Sequence, residues 1–170
     1  MRRILLTGIS GTGKSAVIVE LLARGYKAVD VDNDEYSAWA AVVNDNDEYG
    51  STVEPGRDWV WREDRIQELL SQEDADFLFL SGCAANMGQF LPQFDQVILL
   101  SAPKGIILER LKTRTSNVYG KQDEEARRVI ELKGSVEPIL REIAGYEIDT
   151  NQNMDTIVAH VVRIAQSSQS

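Results

Sequence analysis

The chain has 170 residues, 43% of them hydrophobic and 26% charged, the composition of a globular domain able to bury a sizeable core. Its 18 lysines and arginines against 27 acids give a formal charge of −9, a surface that repels polyanions and argues against nucleic acid or an anionic membrane as partner. Cys83 is the only cysteine, which excludes an intramolecular disulfide and suits a reducing, cytoplasmic compartment. The apolar run after Met1-Arg2-Arg3 is too short for a signal peptide, and no stretch reaches the length of a membrane span. The expectation is one domain over 1–170, a monomer or weak homodimer.

Arg3-Ile4-Leu5-Leu6-Thr7 reads as a first strand, and it runs directly into Gly8-Ile9-Ser10-Gly11-Thr12-Gly13-Lys14-Ser15. The octet has the G-x-x-x-x-G-K-[ST] spacing of a phosphate-binding loop. Its glycines, Gly8, Gly11 and Gly13, let the backbone coil into a nest of inward N–H groups. Lys14 brings a positive charge to the β and γ phosphates, and the Ser15 hydroxyl suits Mg²⁺. A helix over 14–24 follows, ended by Gly25, and its dipole faces the same anion; Thr12 and Ala16 complete the nucleotide-contacting set.

The second strand, 27–31, ends in Asp30-Val31-Asp32-Asn33-Asp34. Asp30 and Asp32 share one side of the strand, so one can hold Mg²⁺ while the other orients or deprotonates an acceptor hydroxyl. The alternation leaves open which of the two takes which role, and Asp34 reads as a helix cap. Helices are expected over 34–43 and, capped by Asp58 after Pro55-Gly56, over 58–71. Trp59 and Trp61, beside Arg57 and Arg62, read either as packing residues or as part of an acceptor pocket to which Arg57 contributes.

A third strand, 76–81, leads into Ser81-Gly82, small residues that leave room for an acceptor, and then Cys83, read as an inert thiol. No acid follows that strand, which argues against a motor or remodelling ATPase. After a fourth strand, 96–101, Pro103 opens a helix over 104–113 that carries Arg110 and leads to Arg114 and the polar loop 114–122. Arginines four apart share a helical face and suit phosphate and base contacts. One of Arg127 and Arg128, in a helix over 123–144, is expected to turn inward, and Arg127 is the one assigned. A fifth strand, 146–149, and a helix, 153–166, holding an edge residue, His160, close the chain. Alternating apolar runs and amphipathic stretches predict an α/β fold with a parallel sheet.

Taken together, residues 8–15, Asp30-Val31-Asp32, Ser81-Gly82, Arg110…Arg114 and Asp149-Thr150-Asn151 resemble the small P-loop kinases of the adenylate-kinase-like clan, which includes shikimate, gluconate and nucleoside monophosphate kinases. The resemblance implies a three-layer fold, strand order 2-3-1-4-5, an acceptor region at 33–75 and a lid at 110–122. It further implies ATP and Mg²⁺ as cofactors and transfer of the γ-phosphoryl group to a small acceptor: a sugar acid, alcohol, nucleoside or nucleoside monophosphate. By the same resemblance Asp32 contacts the acceptor, which leaves Asp30 for Mg²⁺, Arg110 and Arg114 serve base and phosphate, and Asn151 lies near the adenine. The alternative is a nucleotide-binding switch or regulatory ATPase with no small-molecule acceptor.

Overall fold

A computed structural model describes residues 1–41, 57–113 and 123–167. Five parallel strands form the central sheet: β1 (Arg2–Thr7), β2 (Lys27–Asp30), β5 (Phe77–Ser81), β6 (Gln96–Ser101) and β7 (Tyr146–Asp149). They lie in the order β2-β5-β1-β6-β7, which is the expected 2-3-1-4-5 when the sheet strands alone are counted. The near-unbroken apolar runs form strands because both faces of each are covered. Ile4, Leu6, Phe79, Ile98 and Leu100 point to one face and pack with Val17, Ile18 and Leu21 of α1 (Lys14–Ala23) and Ile157, Val158 and Val161 of α6 (Met154–Gln166). Leu5, Leu78, Leu80 and Leu99 point to the other, under α2 (Glu63–Leu70), a 3₁₀ helix (Met87–Gln93), α3 (Lys104–Thr113), α4 (Asp123–Ser135) and α5 (Glu137–Ile143). The result is a three-layer α/β fold. Among the described residues no helix is long and apolar enough to cross a membrane.

Three expected helices are corrected. In place of a helix over 34–43, Asn33 closes a turn by accepting from the Glu35 amide at 3.0 Å, and β3 (Ser37–Ala41) follows. The alanines of that segment favour a helix in isolation, but β3 pairs antiparallel with β4 (Arg57–Trp61), and the cross-strand pair Trp39–Trp59 packs edge to face at 5.1 Å. Tertiary pairing overrides local propensity here. The helix expected over 58–71 therefore begins only at Glu63, with Arg62 at its N-cap position, and Asp58 pairs with Ala40 in the hairpin. The single helix over 123–144 is two, because Pro138 has no N–H to donate into the preceding turn and sits instead in the first turn of α5. The lid residues Arg114, Asn117, Gly120 and Lys121 and most of the polar stretch 44–57 lie outside the described residues.

Candidate active site

The order of the sheet reverses at β1, and the loop leaving its carboxyl end sits in the crevice where parallel sheets bind ligands. Gly13 opens α1 with φ of 94°, a left-handed conformation that glycine adopts without strain. Lys14 is buried; its Nζ donates to the carbonyls of Gly8 (2.6 Å) and Ile9 (2.9 Å), which holds the ammonium in the mouth of the loop. The far side of the loop is clamped. Thr150 Oγ1 donates to Thr12 O at 2.6 Å, and Arg110 donates to Thr150 Oγ1 and Thr150 O, both at 2.8 Å, and more weakly to Gly11 O at 3.4 Å. Gly11, Thr12, Gly13 and Arg110 thus meet around Thr150, whose clamping bonds no sequence pattern indicated. Asn151 is exposed beside it, its amide held by Asp149 Oδ1 at 2.8 Å.

On the other side Ser15 and Ala16 are exposed at the start of α1, and Ser15 Oγ donates to Asp30 Oδ2 at 2.6 Å. A hydroxyl and a carboxylate so close are hard oxygen donors of the type Mg²⁺ prefers, and Mg²⁺ is commonly held by one or two such groups together with substrate phosphates. Among the described residues no cluster of three or more His, Cys, Asp or Glu competes as a metal site. By donor chemistry Ser15 Oγ and Asp30 Oδ2 are an oxygen pair of the kind that can hold Mg²⁺.

Asp32 lies one strand-side step further along. Its amide donates to Asp30 Oδ1 at 3.1 Å, and its own Oδ1 accepts from Trp59 Nε1 and from the Cys83 amide, each at 3.3 Å. Burial, reinforced by Asp30 and only partly offset by Lys14, pushes its carboxyl from 3.8 up to about 6. Ionising Asp32 is thus harder in the folded chain than in the unfolded one. Its contribution to stability is complete below pH 3.8 and is lost as pH rises through 6. Asp32→Asn carries no charge to bury, so it should unfold at higher urea than the wild type at pH 8, by up to about 3 kcal/mol. The difference should vanish below pH 3.8.

The hairpin reaches Asp32 because it is docked on the turn after β5. The Ala85 amide donates to Trp59 O at 3.0 Å, and Asn86 accepts from the Trp61 amide at 2.8 Å while donating to Trp61 O at 3.0 Å. Ser81 is fully buried and the space beside Gly82 is filled by neighbouring side chains, so the room for an acceptor expected at Ser81-Gly82 is corrected. A Cβ on Gly82 would lie 2.8 Å from Val31 Cγ2, 3.1 Å from Asp32 Oδ1 and 3.2 Å from Trp61 Nε1. Gly82→Ala should therefore lower the thermal midpoint, at a cost of about 1–3 kcal/mol, by forcing apart the Asp32 and Trp61 side chains. Cys83 is half-buried, and its thiol, pushed up to about 11 by burial, stays protonated.

Arg57 opens β4 two residues before Trp59, and its side chain lies outside the described set, as does all of Arg114. Arg127 is exposed on α4, whereas Arg128 is the half-buried one and pairs with Glu131 at 2.8 Å, so the expected inward turn of Arg127 is corrected. Trp59 was legible only as an open alternative, and the Cys83 amide carried no sequence signal.

Fold and loop together define a P-loop nucleotide-binding domain of the three-layer α/β type. The family described as the AAA domain matches residues 4–131, and the chain belongs to it. None of the curated proteins matches the chain in sequence. Among solved structures, the chain is similar to shikimate kinase from Acinetobacter baumannii in complex with shikimate: 19% identity, TM-score 0.64, 96% of this chain and 92% of that one covered. It is also similar to shikimate kinase from Bacteroides thetaiotaomicron (18% identity, TM-score 0.65, 98% and 99%). A third similar structure is deoxyadenosine kinase from M. mycoides with bound dATP (14% identity, TM-score 0.61, 98% and 100%). The chain has the fold of the small P-loop kinases of the adenylate-kinase-like clan.

Proposed function

We propose that the protein is a small-molecule kinase that transfers the γ-phosphoryl group of ATP to an acceptor hydroxyl or phosphate. The observation that carries this reading is the placement of Asp32, a half-buried carboxylate within the field of Lys14, at the carboxyl edge of the sheet beside the phosphate loop. Loop amides and Lys14 bind the phosphates, and Arg110 is placed for the nucleotide with Asn151 beyond it. Ser15 and Asp30 would hold Mg²⁺, which when bound would supply charge neutralisation to the phosphates. The acceptor oxygen forms its bond to the γ-phosphorus as the bond to the β–γ bridging oxygen breaks. An acceptor hydroxyl gives its proton to Asp32, and ADP leaves. Arg57 is assigned to the acceptor side, and Arg114 is the arginine assigned to compensate developing charge. Such chemistry is mostly positioning and electrostatics. The likeness of the fold to shikimate and deoxyadenosine kinases supports the reading, as does the ending of β5 in Ser81-Gly82 in place of an acid.

The test is a screen of sugars, sugar acids, alcohols, nucleosides and nucleoside monophosphates with ATP and Mg²⁺, read by product mass. A gain of one phosphoryl group on one class of acceptor is the expected result. ATP binding with no product from any class favours a nucleotide switch.

A further inference from the structure

Asp32 does not hold its carboxylate alone. Two donors converge on the same oxygen, Oδ1: the Trp59 indole N–H and the Cys83 amide, each at 3.3 Å. Among the described residues Oδ2 receives no hydrogen bond. The Cys83 amide belongs to the rigid turn after β5, whereas Trp59 belongs to the hairpin, and the hairpin is pinned to that turn through Ala85 and Asn86. The indole plane is itself fixed by the edge-to-face contact with Trp39 at 5.1 Å. A side chain held from two directions at one oxygen loses its freedom to rotate about χ2, and its other oxygen takes one direction.

Building on the kinase reading above, we propose that Trp59 is the positioning residue of the acceptor site: its indole N–H, with the Cys83 amide, commits Asp32 Oδ1 and leaves Oδ2 as the oxygen that takes the acceptor proton. Trp59 need not touch the acceptor for this. The aromatic hairpin then serves to aim a carboxylate, and its rigidity is set by the Trp39–Trp59 pair.

Two substitutions separate aiming from packing. Trp59→Phe keeps an aromatic ring against Trp39 and deletes the N–H. Trp59→His loses the larger ring but, as neutral imidazole at pH 8, keeps an N–H donor at the ring position of the indole nitrogen. With the acceptor giving the highest turnover in the screen, Trp59→Phe should lower kcat about tenfold, the loss of one hydrogen bond to a charged group, with KM for ATP unchanged. Trp59→His should recover part of that loss. If Phe retains more activity than His, Trp59 is a packing residue and the proposal falls. A second measurement is independent of turnover and of either variant's folding. Between ¹⁵N-labelled wild-type protein and Asp32→Asn, the Trp59 indole resonance should move by several line widths, and by more than those of Trp39 and Trp61. A Trp59 resonance that does not move overturns the proposal. If it moves but no acceptor in the screen is phosphorylated, the kinase reading fails and the aimed carboxylate stands.

Discussion

Asp32→Asn is expected to lower phosphoryl transfer by roughly 10²- to 10⁴-fold, the usual range for loss of a general base, while leaving the affinity for ATP–Mg²⁺ nearly unchanged. The asparagine keeps the shape and can still accept from Trp59 and Cys83 through its side-chain oxygen, so the site should not collapse. What it loses is the ability to take a proton and the negative charge beside the acceptor. Steady-state kinetics with the acceptor found by screening, together with calorimetry for the nucleotide, separates the two effects. Turnover within a few-fold of wild type would remove Asp32 from the chemistry. The wild-type rate should itself fall as pH drops through about 6, where the carboxyl takes up the proton that disables it. The variant expected to lower turnover is also the one expected to be more stable at pH 8, the trade-off that a desolvated charge in an active site brings.

Lys14→Ala is expected to weaken ATP–Mg²⁺ binding by roughly 10- to 100-fold, the loss of charge-assisted bonds to the phosphates. The ammonium already bridges the Gly8 and Ile9 carbonyls, so its removal also frees two acceptors at the mouth of the loop. Neither belongs to the apolar core, and circular dichroism and thermal unfolding should show a folded protein. Unchanged affinity in calorimetry would mean that the loop does not bind triphosphate.

The parallel sheet was legible because each strand is a short apolar run bounded by a turn signal, from Ile4-Leu5-Leu6 to Val97-Ile98-Leu99-Leu100. The phosphate loop was legible because its spacing answers to one ligand, and Asp32 because it follows a strand that ends beside that loop. The hairpin was not. Ser37-Ala38-Trp39-Ala40-Ala41 has the alanines of a helix, and only its pairing with the Trp59-Val60-Trp61 alternation reveals a strand. That alternation was itself the missed signal, as was Pro138 within the long last-but-one helix. The Thr150 clamp and the Trp59–Asp32 bond join residues 138 and 27 positions apart, a kind of contact that no local pattern encodes. Arg127 and Arg128 follow Glu124 and Glu125 in a pattern equally compatible with either facing inward, so the face was decided by packing alone.

The docking of the hairpin has a consequence for how such a chain diversifies. Its attachments include Ser37 Oγ to Val31 O and the bonds of Trp59 and Trp61 to Asp32, Ala85 and Asn86. The nucleotide end is secured by a separate set, Lys14, Arg110 and Thr150 with the loop carbonyls. The two sets have no residue in common. Mutational drift in the hairpin and its receiving turn can thus retool what the protein grips without retuning the engine that drives it. Across descendants of this chain, innovation should accumulate at 37–61 and 83–86 well before it reaches 8–15, Arg110 or Thr150.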